Sequence, residues 1–274
     1  MSDLFIGNAG AKESLFELVE SRSGLACLLF GPQSVGKHTL ARLAAAHILG
    51  RTPKVVDPDL LDISAELGEQ KQIDLATAKR IAKHVTQTPF AGERSVTIIA
   101  RIERITREAA NALLIPLESL PASACVIMTS DNPAAVIPTI KSRALPIGLS
   151  RVSEEEMTRG LQGRKVRQQV LEEALKLARG APGRALTAAM NTGQRTRMAK
   201  LQQAIKSWEQ ETLVVRLALA LKHGSDQEKA RGFLLEMLSV GPLKYRQGAN
   251  RAYRRLEQNV QPRAVLEAFA MIEA

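Results

Sequence analysis

The chain has 274 residues, 45% of them hydrophobic, enough for two or three domains with cores of their own, and no run nears the roughly 18 apolar residues of a membrane span. Two cysteines exclude a disulfide framework, and 3% aromatics provide too few rings for a base-stacking platform. The +10 formal charge is uneven: residues 1–150 hold 16 basic and 15 acidic side chains, residues 151–274 hold 22 and 13, so +9 of the excess lies in the last 124 residues. The start, Met1-Ser-Asp-Leu-Phe-Ile-Gly7, has no basic stretch followed by an apolar one. A soluble cytoplasmic protein without a secretory signal is therefore expected.

Leu25-Ala-Cys-Leu-Leu-Phe30 reads as a short buried strand, and Lys37 to Leu49 as an Ala/Leu-rich helix. Between them runs Gly31-Pro-Gln-Ser-Val-Gly-Lys37-His38-Thr39, which fits the phosphate-binding pattern G-x-x-x-x-G-K-[ST] through its lysine and then departs from it. Gly31, Gly36 and Lys37 are the candidate phosphate contacts. In that pattern the glycines let backbone amides close around phosphate, the lysine reaches the β and γ oxygens, and the next hydroxyl holds Mg²⁺. His38 cannot hold a hard cation as a hydroxyl does. Thr39 lies one residue on, turned about 100° along the helix, and is a poor substitute. Cys27 here and Cys125 further on fall in core strands as small apolar filler.

Leu60-Leu-Asp-Ile63 reads as the next strand and Ile73 to Thr86 as a helix. The apolar run Ser95-Val-Thr-Ile-Ile-Ala100 should be the strand that carries metal-side and water-activating carboxylates at its end. It ends instead in Arg101, a permanent cation that cannot accept a proton. Glu103, two residues beyond, reads as a solvated or salt-bridged helix-side charge. The hydroxyl, the metal-side aspartate and the base are all missing, so the site is expected to be a degenerate one.

Thr106-Arg-Glu-Ala-Ala-Asn-Ala-Leu-Leu-Ile-Pro-Leu-Glu118, the strand Ala124 to Thr129, Ser130-Asp-Asn-Pro133 and Pro138-Thr-Ile-Lys-Ser-Arg-Ala144 follow in order. This succession resembles the bacterial clamp-loader ATPases of the AAA+ class, most specifically from Val96 to Arg143, and the degenerate loop points to the delta-prime type of DNA polymerase III subunit. The resemblance implies an α/β P-loop (AAA+) parallel-sheet domain over 1–150, a small helical lid over 151–191 and an all-helical collar over 192–274. It also implies partners: the tau/gamma motor subunits and the delta subunit, with the sliding clamp and primed DNA reached through the complex, and no membrane.

By the same resemblance Arg143, with Ser142 beside it, is an arginine finger that reaches in trans toward the γ-phosphate held by a neighbour; Ala144 stands at the family's cysteine. Arg184, in Arg179-Gly-Ala-Pro-Gly-Arg184, matches the arginine that approaches the subunit's own phosphates, and here either keeps that contact or locks the first two domains together. Thr129 and Asn132 match the strand end that orients water in an active relative. Many relatives carry a four-cysteine zinc module where this chain has Leu49 to Asp59, which lacks metal-ligand spacing, so no zinc is expected. No cofactor is required, and residual ATP or ADP binding is doubtful.

From Ser153 the strand signals stop. Ser153-Glu-Glu-Glu156 reads as a capped helix start, Gln168 to Arg179 as a helix, and Pro182-Gly183 as the next turn. The polar stretch Asn191 to Arg195 reads as a flexible separator before a helical block broken at His223–Asp226 and Gly241-Pro242. Lys244, Arg246, Arg251, Arg254 and Arg255 form the densest basic cluster, read either as a solvated helix face or as a phosphate-binding one. Trp208, Tyr245 and Tyr253 stand nearly alone outside the apolar elements. His38, His47, His84 and His223 lack ligand spacing. Two rival functions remain at this stage, an autonomous ATPase using Glu103 and Thr39, and a basic DNA-binding scaffold.

Overall fold

The computed structural model describes residues 5–53, 57–64, 72–162, 166–210 and 212–272. The chain divides into two compact units, Met1–Gly163 with Gly180–Gly183, and Arg164–Arg179 with Arg184–Ala274. Residues 151–191, expected as a lid of their own, are thus shared between the two.

The first unit is an α/β layer structure. Its elements are α1 (Ala9–Ser21), β1 (Leu25–Phe30), α2 (Lys37–Ile48), β2 (Leu60–Asp62), α3 (Leu75–Thr86), β3 (Ser95–Ile99), α4 (Arg107–Glu118), β4 (Ala124–Ser130), α5 (Pro138–Lys141), β5 (Leu145–Gly148) and α6 (Glu154–Gln162). All five strands run parallel in the order β2-β3-β4-β1-β5. Because alternate strand residues face opposite sides, Ala26 and Leu28 of β1 pack with Val126 and Met128 of β4 under α3 and α4. Leu25, Cys27 and Leu29, with Cys125 and Ile127, face α1 and α2 instead. Both faces are covered, which is why β1, β3 and β4 read as nearly unbroken apolar runs. The two cysteines are free, and burial pushes Cys125 up to about 12 and Cys27 well above its ordinary value. They act as core filler.

Helix starts follow their caps. Asp74 accepts from the Thr77 amide at 2.8 Å to begin α3, and Thr106 from the Ala109 amide at 3.2 Å to begin α4. At α6, Ser153 Oγ accepts from the Glu156 amide, the capped start that the sequence Ser-Glu-Glu-Glu predicts, and donates to the Glu156 carboxylate. Among the elements that escape the sequence reading are α1, which buries only Leu15 and Val19, the short helix α5, and β5, a four-residue edge strand containing Pro146 and Gly148.

The second unit contains α7 (Gln168–Ala178), α9 (Thr192–Gln210), α10 (Leu213–His223), α11 (Gln227–Val240), α12 (Leu243–Glu257) and α13 (Pro262–Ile272). Between α7 and α9, α8 (Pro182–Met190) begins with a proline at its first turn, so Pro182-Gly183 starts a helix. The Asn191–Arg195 stretch is not a flexible separator: Asn191 Oδ1 accepts from the Gln194 amide at 3.0 Å and caps α9, whose first turn it is. Loop-like composition there is cap composition. The aromatics also lie elsewhere than expected. Trp208 and Tyr245 are buried in the helical core, Trp208 stacking on Phe269 with ring centroids 5.1 Å apart. No described helix is long and apolar enough to cross a membrane.

Candidate functional site

In a parallel sheet wound this way, the strand ends at the carboxyl edge gather the loops that form a site. Three such ends meet here: the loop after β1, Arg101 after β3 and Asp131 after β4.

The β1 loop has the backbone of a phosphate cradle. Gly31 and Gly36 have φ of 151° and 104°, and a Cβ on Gly31 would lie 2.1 Å from the Leu149 carbonyl oxygen. Neither position tolerates a side chain. Ser34 adopts φ 63°, a left-handed conformation that explains why glycine would suit it, and its carbonyl accepts from the Gly183 amide at 2.9 Å.

The lysine of the cradle is already engaged. Lys37, 6% exposed, donates to the Gly31 and Pro32 carbonyls at 2.8 and 2.6 Å and pairs with Asp131 Oδ1 at 2.7 Å. An ammonium has three donors, and all three are spent within the chain. Asp131 is itself positioned by Glu103, whose Oε1 accepts from the Asp131 amide at 3.2 Å.

Glu103 is accordingly not the solvated or salt-bridged helix-side charge expected from the sequence. It is partly buried, burial raises its pKa, and it ties the turn after β3 to the end of β4. Arg101 takes a left-handed conformation (φ 52°), and its amide donates to Thr129 Oγ1 at 3.2 Å. Thr129 thus holds backbone together. Asn132 donates its amide to Ser130 Oγ at 3.1 Å.

At the hydroxyl position, His38 Nε2 lies 3.1 Å from Asp62 Oδ2, at the end of β2. Arg42 reaches the same oxygen at 3.2 Å, and Ser64 donates its hydroxyl and amide to Oδ1 at 2.6 and 3.0 Å. Burial alone would raise the Asp62 pKa, but the hydrogen bonds from His38 and Ser64 outweigh it and hold it at about 2. The histidine is therefore directed to a carboxylate on β2. Among the described residues no group of three or more His, Cys, Asp or Glu could hold a metal ion. The lysine is thus paired internally, and His38 and Arg101 stand where the phosphate-binding pattern and the strand end would place a hydroxyl and a base.

Arg143 follows α5. Its guanidinium donates to the Thr139 carbonyl at 3.1 Å, to Ser142 Oγ at 3.4 Å and to Glu118 Oε2 at 3.0 Å. Its side chain is about a quarter exposed and Glu118 is mostly exposed. Solvent screens such a pair to at most about 1 kcal/mol. The contact is easily exchanged for another anion.

Arg184 lies in the second unit. It makes a two-pronged pair with Glu236 of α11, at 2.8 and 2.7 Å, and also donates to the Leu177 carbonyl at 3.3 Å. Glu236 is buried, and both its oxygens are taken by this one fork. Sequence pattern alone missed Glu236, Asp62 and Asp131, since their significance lies in partners 24 to 94 residues away.

A family model described as "DNA polymerase III, delta subunit" matches residues 12–153, just over half of the chain. The chain belongs to the DNA polymerase III delta-subunit family. Members and relatives of this family line up with it: it is 32% identical over 197 residues to DNA polymerase III subunit delta' of Pseudomonas aeruginosa, covering 65% of this chain and 58% of that one. It is 28% identical over 170 residues to the gamma subunit of Buchnera aphidicola, covering 56% and 46%. The chain thus spans less than two thirds of the length of these curated relatives. A DNA polymerase III gamma-subunit-related protein of Thermotoga maritima superposes with a TM-score of 0.59 at 20% identity, over 96% of this chain and 98% of that one. A parallel α/β sheet followed by helices is the fold this chain shares with that protein.

Proposed function

We propose that the chain is a non-hydrolysing, delta-prime-type subunit of a bacterial clamp loader, acting on its neighbours' nucleotide sites and not on one of its own. The observation that carries this reading is the self-satisfied cradle: Lys37 held by Gly31, Pro32 and Asp131, His38 held by Asp62, and Arg101 where a base belongs. Family membership and the delta', gamma and tau relatives support the setting in DNA replication.

In this reading Arg143 is supplied in trans, with Ser142 helping to set its direction. A planar, permanently charged fork suits phosphoryl oxygens on which charge develops. Residues 1–150 present a rigid face to the tau/gamma motor subunits and the delta subunit, and 192–274 join the collar. The ring carries the sliding clamp to primed DNA. No nucleotide or zinc is needed by this chain, and its place is the cytoplasm.

The autonomous-ATPase rival depends on Glu103, whose Oε1 is committed to the Asp131 amide. Mixing the chain with gamma-type motor and delta subunits is expected to give one stable hetero-oligomer on size-exclusion chromatography, with DNA-stimulated ATP turnover above that of the motor subunits alone. Separate elution with unchanged turnover would overturn the proposal.

A further inference from the structure

Part of the helical unit neutralises its surface cations locally. Arg195 pairs with Glu173, Arg197 with Glu228, Lys229 with Asp226 and Arg263 with Glu267. Helix α12 does not. It buries Tyr245, Gly248, Ala249, Ala252 and Leu256, and turns Lys244, Arg251, Arg254 and Arg255 outward, all four exposed. At 100° per residue these four fall within an arc of about 100° and span about 16 Å along the axis. None of them pairs with a carboxylate among the described residues. The fifth member of the cluster, Arg246, is apart: it is half-buried and donates to the Gly241 carbonyl at 3.0 Å.

We infer that the outward face of α12 binds the sugar-phosphate backbone of nucleic acid. Charge complementarity decides the occupant. Four unpaired cations at helical spacing meet a ladder of single negative charges, and three of them are arginines, whose forks match phosphate oxygens. The contact should be blind to sequence. Trp208 and Tyr245 are buried in the core, with Lys244 over the Tyr245 ring, 4.7 Å from its centroid, and Tyr253 is partly buried, with Arg231 over its ring at 5.8 Å. An acidic protein surface is the competing occupant, and it would not release the counterions that a phosphate lattice does.

This inference is independent of the arginine-finger reading, because it concerns DNA affinity and not ATP turnover. The test is fluorescence anisotropy of a labelled primer–template with the full chain between about 50 and 200 mM salt. The full chain should show a log K against log salt slope near about −3.6, that is roughly −0.9 for each of four phosphates. The double variant Arg251→Ala/Arg254→Ala should reduce that slope by about two, while Arg263→Ala, which removes a paired cation, leaves it unchanged. Both variants alter exposed side chains and should keep the parent's thermal melt. An unchanged slope in the double variant, or no binding by the full chain, overturns the inference. Loss of assembly with partner subunits at an unchanged DNA slope would assign the face to an acidic protein instead.

Discussion

Replacing Arg143 with alanine is expected to slow ATP turnover at the neighbouring site of the assembled clamp loader by about 10³-fold or more, with assembly intact. Here Arg143 leans on Glu118, a mostly exposed carboxylate that it can leave at a cost of at most about 1 kcal/mol. Arg143→Lys should be nearly as slow, since a point charge does not reproduce the planar fork. Glu118→Gln should leave turnover at or slightly above the parent's. Steady-state turnover with saturating primed DNA, read together with sedimentation of the complex, checks all three. Parent-like turnover in Arg143→Ala would remove the finger.

Removing either member of the Arg184–Glu236 pair is expected to destabilise the helical unit by about 3–5 kcal/mol. Each partner is largely shielded, 14% and 5% exposed, so deletion of one strands the other's charge where water cannot reach it. Arg184→Ala and Glu236→Ala should each lower Tm by more than about 10 °C. The double change to Met and Leu should cost far less than the two single changes summed, because no lone charge remains. Thermal denaturation followed by circular dichroism gives the result. If Arg184→Ala melts like the parent but alters turnover in the complex, the arginine serves nucleotide and not packing.

These two arginines mark the limit of what the sequence discloses. The α/β layering was readable because strands covered on both faces are apolar throughout, as at Leu25–Phe30 and Ala124–Ser130. The cradle was readable because its glycines and lysine are local in sequence. That His38 and Arg101 stand at the positions of a hydroxyl and a base is equally local in the sequence. The partners of Lys37 and His38 were not legible: Asp131 for Lys37 and Asp62 for His38 are tertiary pairings with no period or spacing to betray them. Edge strand β5 carries Pro146 and Gly148, both poor strand formers, and is held by its ladder to β1 rather than by propensity. Trp208 looked isolated because its partners Phe233 and Phe269 come from other helices.

The most direct test is nucleotide binding and ATP turnover by the purified chain alone, as the parent and as Asp131→Asn. The parent should neither bind nucleotide appreciably nor hydrolyse it. Asp131→Asn, by releasing Lys37 from its internal carboxylate, should gain nucleotide affinity by tenfold or more, roughly the worth of one charge-assisted contact, and still show no turnover, for want of a metal ligand and a base. Hydrolysis by the parent at about 1 per second or faster, the ordinary range of enzymes, would contradict the account.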